Sequence, residues 1–391
     1  MNEHAKPVAP GLVRGAAAVG DRAVQWISHA IERRLNAENF IAANQTPYEV
    51  IYANGLTSVR RYAPLTETEI EVGRTRMPVA ATRHRVPVLL VPPLAANSLN
   101  FDLLPNRSLV RYLLASGFAV YLVDWGDPDA DHSRLDLADY TTDMLPKALA
   151  AVRHDSGEQE VSLFGYCMGG LFCLIYAGWS HDPQIRNIVT VASPIDAYQI
   201  GIAGRLVQMM NHPLRVAARY VPLSLHDIDP KYLRVPGWVS SWVFKMTNPV
   251  GTVQSYIDLL MNLWDREFVT EYQTTATWFN KMHDYPGGIV QDFIVRVGLA
   301  NELARGELRL GRGKNGKTAL LDRIDCSLLA IAGRTDKIVT IEAARKVLDI
   351  IGSEDKDFVV APGGHAGVFA GSAAPATTWA LASDWLQARS D

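Results

Sequence analysis

A cysteine at the centre of a glycine-rich turn is the residue in this sequence best suited to nucleophilic chemistry. The segment GYCMGG, from Gly165 to Gly170, follows an apolar run typical of a strand and precedes an apolar helix. This is the pattern of a nucleophile elbow, with Cys167 in the place of serine. Glycines stand two residues to each side because the tight turn leaves no room for side chains there. The alternative is a buried structural cysteine in a glycine-rich turn.

A cysteine nucleophile needs a base, because a thiol of ordinary pKa, about 8.5, is mostly protonated at neutral pH. His365 and Asp336 each follow a predicted strand in the C-terminal region. Open α/β sheets bind ligands at the carboxyl ends of their strands, so both side chains are expected near Cys167. His365 would take the thiol proton and Asp336 would orient the ring. The alternatives are a loop-capping histidine and a helix N-cap.

Backbone amides are the expected donors to the oxyanion that forms during acyl transfer. One is the amide of Met168, directly after the nucleophile, and the other lies in the loop after the first core strand. In that loop Pro92 and Pro93 carry no N–H, so Leu94 is the first residue able to donate. A plain rigid turn is the alternative interpretation of the proline pair.

The remaining polar and thiol groups are weaker candidates. Cys173 and Cys326 are expected to be structural. The spacing of His and Cys suits no metal and no glycine loop suits a phosphate, so neither a metal nor a cofactor is expected. The basic turn at 311–317 is interpreted as a solvated loop, with contact to an anionic substrate tail as the alternative. The segment Asp124 to Asp127 either shapes the pocket or forms a turn.

Strands and helices alternate from Val86 onwards, which predicts βαβ units and a parallel sheet covered on both faces. The strands are predicted at 86–91, 118–125, 160–164, 185–194, 327–333 and 356–362. The helices are predicted at 107–117, 137–153 with a bend at Pro146, 171–179, 340–352 and 377–389. Before them, an Asn-Gly pair at 54–55 predicts a β-hairpin, and residues 64–85 are expected to form a polar connection.

The alternation stops between residues 196 and 320, where strand signals are few and aromatic residues are many. We therefore expect a core formed by 46–195 and 321–391, a largely helical cap insertion at 196–320, and an N-terminal helical extension at 1–45. In that extension one helix face is apolar and is expected to pack on the domain body, with a homodimer or partner contact and a surface anchor as alternatives. The residues of this face are Val24, Ile27, Ile31 and Leu35.

The composition restricts the class of protein. Of the 391 residues, 48% are hydrophobic and 20% are charged, which is usual for a globular protein and not for a disordered one. A net charge of −3 lacks the basic excess of nucleic-acid-binding proteins. Three distant cysteines form no disulfide framework, and no apolar run reaches the roughly 18 residues of a transmembrane segment. Without a signal-peptide core at the N-terminus, a cytoplasmic location is expected.

Several segments together resemble the polyhydroxyalkanoate synthase family, and within it the catalytic subunit of the two-component class III enzymes. The resemblance extends from Thr46 to Arg389 and rests on NRSLVRYLL, VYLVDWGDPD, SLFGYCMGG, IRNIVTVASPID, NELARGEL, the Asp336 loop and PGGHAGVFAG. It implies an α/β-hydrolase fold, with a mostly parallel doubly wound sheet and a largely helical cap.

The resemblance also implies the chemistry. Cys167 would be the nucleophile, His365 the base, and Asp336 would help to activate a hydroxyl group. The substrate would be an (R)-3-hydroxyacyl-CoA, polymerised through a cysteine-bound thioester into polyhydroxyalkanoate with release of coenzyme A. The polyester would be held on intracellular granules, and a second, non-catalytic synthase subunit would be the partner. Coenzyme A would be part of the substrate, and no other cofactor is implied.

The chain departs from the family pattern at three positions. Ala96 and Leu99 stand where the family usually carries Asn and Tyr, and Lys337 stands where a His often follows the aspartate. These departures bear on acyl-chain preference and on the balance between polymerase and hydrolase. An intracellular polyester depolymerase or a thioesterase with the same three residues is the alternative enzyme. A granule-coat protein without activity is the non-enzymatic alternative.

Overall fold

The strands that carry the fold are the continuous apolar runs of the sequence. The computed structural model describes residues 10–96, 98–201, 204, 208–209, 228–246, 249–311 and 316–391. The strands are Tyr48–Asn54 (β1), Thr57–Tyr62 (β2), Glu69–Val72 (β3), Thr75–Pro78 (β4), Val88–Val91 (β5), Asp102–Leu104 (β6), Arg107–Ser108 (β7), Val120–Asp124 (β8), Val161–Tyr166 (β9), Ile185–Val191 (β10), Glu307–Leu310 (β11), Lys317–Leu320 (β12), Ser327–Gly333 (β13) and Lys356–Ala361 (β14).

Eight of these strands form one sheet in the order β1-β2-β8-β5-β9-β10-β13-β14. The pairs β1–β2 and β2–β8 are antiparallel, and the pairs from β8 to β14 are parallel. Every residue of β5 and β9 is buried, as is usual for parallel strands covered on both faces. Neighbours in β5 alternate between the faces, since Leu89 and Leu90 belong to different apolar clusters. The predicted mostly parallel sheet is confirmed.

Helices cover the two faces of this sheet. The α-helices are Pro10–Leu35 (α1), Leu109–Ala115 (α2), Leu137–Asp139 (α3), Leu145–Ser156 (α4), Met168–Ser180 (α5), Gly237–Met246 (α6), Pro249–Met261 (α7), Arg266–Asn280 (α8), Gly287–Asp292 (α9), Ile341–Arg345 (α10), Val347–Ile350 (α11), His365–Ala370 (α12) and Ala380–Gln387 (α13). Single π-helical stretches lie at Tyr140–Met144, Phe293–Leu299 and Pro375–Trp379. Short 3₁₀ helices lie at Ala37–Phe40, Ser98–Phe101, Ala197–Gln199, Pro230–Tyr232, Leu303–Arg305 and Leu321–Arg323.

Proline and glycine explain two local differences from the sequence prediction. The expected bend at Pro146 is instead a π-helical stretch just before it, and Pro146 lies in the first turn of α4, where its missing N–H costs nothing. In the first hairpin Asn54 pairs with Thr57, so the loop residues are Gly55 and Leu56, not Asn54 and Gly55. Gly55 takes the positive φ of 58° that this turn requires.

The polar connection predicted at 64–85 contains a second hairpin. Strands β3 and β4 pair antiparallel around a turn at Gly73, whose φ is 60°. The prediction of a plain connection was wrong because each strand has only four residues, and in β3 just Ile70 and Val72 are buried. Such a short alternation does not stand out from a polar loop.

The N-terminal helix α1 contacts the insertion through its polar and aromatic residues. The Trp26 indole N–H donates to the carbonyl oxygen of Leu260 at 2.8 Å, and His29 Nδ1 lies 2.8 Å from the carbonyl oxygen of Leu263. The predicted packing of the apolar face on the domain body is wrong, because its four residues are 55–71% exposed. These residues are Val24, Ile27, Ile31 and Leu35.

The elements of residues 196–320 fall into two groups, one near the candidate site and one packed on the core. Helices α6, α7 and α8 pack on one another, whereas the β11–β12 hairpin packs on α5 and buries Leu308, Leu310 and Ala319 in a core cluster. This hairpin therefore extends the core and does not cover the sheet edge. No helix in the described part of the chain is long and apolar enough to cross a membrane.

Candidate active site

Cys167 occupies the tight turn that joins β9 to α5. Its backbone has φ 53° and ψ −117°, an unusual conformation for a residue with a side chain. The Cys167 amide donates to the carbonyl oxygen of Val191 at 2.8 Å, which ties the turn to the end of β10. The arrangement has the strand, sharp turn and helix of a nucleophile elbow. The sulfur is therefore presented at the carboxyl end of the sheet.

The glycines beside Cys167 are required by space. A methyl group on Gly165 would lie 2.4 Å from the amide nitrogen of Gly170, and one on Gly169 would lie 1.9 Å from the carbonyl oxygen of Val91. The close approach of Gly165 to Gly170 lets α5 begin directly after β9. The close approach of Gly169 to Val91 shows that the end of β5 touches the elbow, so the loop after β5 runs beside the nucleophile.

His365 and Asp336 meet at the same edge of the sheet. His365 Nδ1 lies 2.8 Å from Asp336 Oδ2, and the two side chains are 7% and 0% exposed. The other carboxylate oxygen, Oδ1, accepts hydrogen bonds from the amides of Ile338 and Val339 at 2.8 and 2.9 Å. Asp336 thus caps a turn as well as holding the imidazole, while the N-cap of α10 is Thr340.

The Cys167 sulfur is the strongest influence that raises the pKa of His365. Burial by itself lowers this pKa, but the charge of Cys167 and the hydrogen bonds that the ring donates to Asp336 and Cys167 outweigh it and raise the pKa to about 10. An opposite charge close by favours the protonated ring. The site therefore favours a protonated imidazole beside the sulfur. The structure brings together all three residues that the sequence singled out.

Tyr166 positions the segment that carries His365 by a hydrogen bond and a ring contact. Its hydroxyl donates to the carbonyl oxygen of His365 at 3.1 Å, and its ring stacks on Phe369 with centroids 4.2 Å apart. Because Tyr166 directly precedes Cys167 in β9, the same strand end positions both the nucleophile and the histidine. The elbow motif does not reveal this role, since any side chain fits its second position.

The loop that carries Leu94 is fixed by Trp125. The indole N–H of Trp125 donates to the carbonyl oxygen of Pro92 at 2.9 Å, and its ring packs edge-on against Phe172 of α5. The segment from Asp124 to Asp127 thus packs against the loop after β5 that carries Leu94, and stabilises it. Leu94 lies in this loop and Met168 begins α5 next to the sulfur. Donation by these two amides to an oxyanion stays a prediction.

Tyr285 is a polar residue of the site that the sequence did not reveal. Its backbone pairs in both directions with Val235, at 2.8 and 3.1 Å, and the amide of His283 donates to the carbonyl oxygen of Ala95 at 3.0 Å. Burial and then Cys167 raise the pKa of Tyr285, while a hydrogen bond from the Ala95 amide lowers it. The phenol is therefore within electrostatic reach of Cys167, and its hydrogen bond with the Ala95 amide links it to the loop after β5. A single tyrosine in an aromatic insertion gives no sequence signal.

The other candidate groups lie away from the site or are inert. Cys173 is fully buried in α5, and burial raises its pKa. Burial also raises the pKa of Cys326, to about 12. Both thiols therefore stay protonated at neutral pH, as expected of structural cysteines. The described residues contain no group of His, Cys, Asp and Glu that could hold a metal ion.

Lys317, at the end of the basic turn predicted at 311–317, lies away from the nucleophile. Residues 312–315 lie outside the described residues. Lys317 Nζ lies 4.4 Å from the ring centroid of Trp179. Since Trp179 follows Cys167 by twelve residues along α5 (179 − 167), it lies about 18 Å from the elbow.

Comparison with known proteins finds similarity to a hydrolase-fold family and to enzymes of polyester synthesis. A family model described as the alpha/beta hydrolase fold matches residues 86–228. The poly(3-hydroxyalkanoate) polymerase subunit PhaC of Haloferax mediterranei is 28% identical over 363 residues, covering 93% of this chain and 68% of that one. The subunit PhaC of Allochromatium vinosum is 27% identical over 364 residues, covering 93% and 94% of the two chains.

The fold has a counterpart among solved structures. A soluble variant of monoglyceride lipase from Saccharomyces cerevisiae, in complex with a substrate analogue, superposes with a TM-score of 0.51. The two chains are 13% identical over 90% of this chain and 97% of that one. The likeness concerns the fold, and with the family model it confirms the predicted α/β-hydrolase architecture.

Proposed function

Since this chain belongs to the polyhydroxyalkanoate synthase family, we propose that it polymerises (R)-3-hydroxyacyl groups from their coenzyme A thioesters through a covalent link to Cys167. The observation that carries the mechanism is the contact of His365 with both Asp336 and Cys167 at the sheet edge. Coenzyme A enters as part of the substrate, and the steps below use no other cofactor. A second, non-catalytic synthase subunit is the proposed partner, and cytoplasmic polymer granules are the proposed location.

The first step loads the enzyme. The Cys167 thiolate attacks the acyl carbon and forms a new carbon–sulfur bond, while the bond to the sulfur of coenzyme A breaks. The imidazolium of His365 gives its Nε2 proton to the departing thiolate. The products are acyl-Cys167, free coenzyme A and a neutral His365. Because one thioester replaces another, the step lies near equilibrium.

The second step extends the polymer. Neutral His365 takes the proton of a hydroxyl group as the hydroxyl oxygen attacks the thioester carbonyl of acyl-Cys167. An ester bond forms and the Cys167 thiolate leaves, which restores the thiolate–imidazolium pair. The carboxylate of Asp336 stabilises the positive ring through Nδ1 and keeps Nε2 facing the sulfur.

Both steps pass through a negatively charged oxygen that needs hydrogen-bond donors. The amides of Met168 and Leu94 are the proposed backbone donors, as the elbow pattern predicts. The phenol of Tyr285 is a third, because its hydroxyl lies near the sulfur and the Ala95 amide. Donors fixed by the fold stabilise such an oxygen without reorganising during the reaction.

The aromatic residues around His365 favour transfer to a hydroxyl over hydrolysis. The ring of Phe244 lies 6.3 Å from the imidazole and stacks on Phe279 at 5.1 Å. Trp278 stacks in turn on Phe279 at 4.4 Å. This apolar wall from the insertion lines the approach to the acyl-enzyme, where a bound substrate can displace water and so protect a reactive intermediate. The wall therefore supports the synthase over the depolymerase or thioesterase.

The test supplies purified protein with 3-hydroxybutyryl-CoA, with and without a second synthase subunit, and measures released coenzyme A and polymer. We expect both products from the unaltered chain and neither from Cys167→Ala. Cys173→Ala and Cys326→Ala are the matched controls and are expected to keep most of the activity. Free 3-hydroxybutyrate without polymer would favour the hydrolase, and no release with any partner would favour the inactive coat protein.

A further inference from the structure

A cavity of about 900 Å³ leads from the surface to His365. One wall belongs to the core and consists of the segment from Gly364 to Gly367 with Thr335 and Lys337. The other wall belongs to helices α6, α7 and α8 of the insertion. A volume of several hundred Å³ beside a reactive group is typical of a small-molecule site. The cavity is therefore large enough to take the carrier portion of a thioester substrate.

Apart from His365, the ionised side chains that line the described part of the cavity are two lysines, one on each wall. Lys337 comes from the core and Lys245 from α6, and no Asp or Glu stands among the described residues that line the cavity. The ammonium group of Lys245 donates to Oδ1 of Asn280, another lining residue, which keeps it at the wall. A concave surface of one charge sign attracts counter-charged ligands.

Lys337 is placed differently from its neighbour in sequence. Asp336 is buried against His365, whereas Lys337 is exposed and forms no ion pair with any residue in the described parts of the chain. Its charge is therefore available to a ligand that enters the cavity. The basic turn at 311–317, the sequence candidate for an anionic tail, has its Lys317 against Trp179.

We propose that Lys337 and Lys245 bind the phosphate groups of the coenzyme A thioester and that the cavity holds its pantetheine arm. The inference rests on the proposed function, because that function supplies an anionic thioester as substrate. Phosphate groups are well matched to lysine, which binds them as a point charge. The apolar side chains of Val253, Ile257 and Ala276, which also line the cavity, suit the uncharged arm.

The experiment compares two acyl donors, one with and one without the phosphate-bearing nucleotide end of coenzyme A. The donors are 3-hydroxybutyryl-CoA and the 3-hydroxybutyryl thioester of pantetheine, which carries the same arm without phosphate groups. For Lys337→Glu we expect the KM of the coenzyme A thioester to rise about tenfold, with the KM of the pantetheine thioester nearly unchanged. Lys245→Gln keeps a hydrogen-bond donor for Asn280 and should show the same selectivity with a smaller rise.

A surface lysine provides the control for net charge. Lys147 lies on α4 and pairs with Asp143, away from the cavity lining. Lys147→Glu makes the same change in net charge as Lys337→Glu and should leave the KM of both donors unchanged. An equal rise of KM for both donors in Lys337→Glu would overturn the proposal, and would indicate that the cavity takes the uncharged polyester instead.

Binding of free coenzyme A separates this inference from the proposed function. Calorimetry measures its Kd for the unaltered chain, for Lys337→Glu and for Lys147→Glu, and it needs no turnover. A weaker Kd in Lys337→Glu alone supports the phosphate site even if polymer synthesis fails. The same Kd in all three proteins would overturn the site even if the chain makes polymer.

Discussion

The carboxylate of Asp336 contacts the imidazole of His365, with Oδ2 2.8 Å from Nδ1, and its other oxygen is occupied by the amides of Ile338 and Val339. The side chain is fully buried. Asp336 therefore influences a substrate hydroxyl through the histidine ring. The resemblance to the synthase family implies that this aspartate helps to activate a hydroxyl. The geometry indicates how: with Asp336 bound to Nδ1, the imidazole of His365 accepts the hydroxyl proton more readily.

Asp336→Asn should separate chain growth from the first acylation. In the proposed mechanism loading starts from a thiolate and needs no proton abstraction, whereas chain growth requires His365 to take a proton with the support of Asp336. We expect chain growth to fall about 10³- to 10⁴-fold and the first acylation to fall much less. Rapid-quench measurement of acyl-enzyme formation, beside steady-state polymer formation, checks this. Equal losses in both steps would contradict the proposed division of roles.

Removal of the Cys167 sulfur should lower the pKa of His365 from about 10. Burial lowers this pKa, and the charge of Cys167 is the largest influence that raises it. In Cys167→Ala the raising influence of Asp336 remains, so the pKa should fall toward the ordinary value of about 6.5. NMR titration of the imidazole measures the change. Cys173→Ala is the control, since Cys173 lies inside α5, and should leave the titration unaltered.

The raised pKa of His365 also makes the free energy of unfolding depend on pH. Because the pKa of His365 is higher in the folded chain than in the unfolded one, its protonation stabilises the fold below about pH 6.5. This contribution is lost as the pH rises through about 10. Urea unfolding at a series of pH values should therefore show a smaller loss of stability on the alkaline side for Cys167→Ala than for the unaltered chain. Identical profiles would show that the two side chains do not interact.

Tyr285→Phe should slow the reaction without weakening substrate binding. The variant keeps the ring and its packing but removes the hydroxyl that lies near Cys167 and the Ala95 amide. Loss of one oxyanion donor typically lowers kcat about 10²- to 10³-fold, and a phenol that shares the task with two amides should cost about tenfold or more. Steady-state kinetics with 3-hydroxybutyryl-CoA measure kcat and KM separately.

The exposed Tyr232 offers a matched control for the loss of a phenol. It also belongs to the insertion, and 74% of the residue is exposed. Tyr232→Phe should leave kcat and KM unchanged. If Tyr285→Phe behaves in the same way, Tyr285 packs beside the nucleophile without taking part in the reaction.

The sequence was informative where function depends on the ends of parallel strands. Cys167, Asp336 and His365 each follow an apolar run directly, so strand order alone predicts that they meet at one edge. Tyr285 could not be predicted, because 118 residues separate it from Cys167 (285 − 167) and the electrostatic influence between them depends on how the insertion folds over the sheet. Lys337 was visible only as a departure from the family pattern, since the cavity it lines forms between two parts of the chain.

Apolar periodicity was a weaker guide to packing than to secondary structure. The repeat in α1 correctly indicates a helix, yet the four residues that form it face outward. Helix α1 contacts the insertion through Trp26 and His29, which lie outside the repeat. The period of the apolar residues predicts which residues share a helix face, but it does not predict which face packs against another element.

Gly169→Ala should destabilise the fold because a methyl group there has no space. It would lie 1.9 Å from the carbonyl oxygen of Val91, and that atom belongs to the strand backbone, which cannot move aside as a side chain can. Either β5 or the start of α5 must shift, at a cost of about 3 kcal/mol or more. Urea unfolding gives the free energy directly. Gly20→Ala in the exposed part of α1 meets nothing within 4 Å and should not destabilise the chain. A Gly169→Ala protein as stable as the unaltered one would show that the strand and the elbow are not in contact.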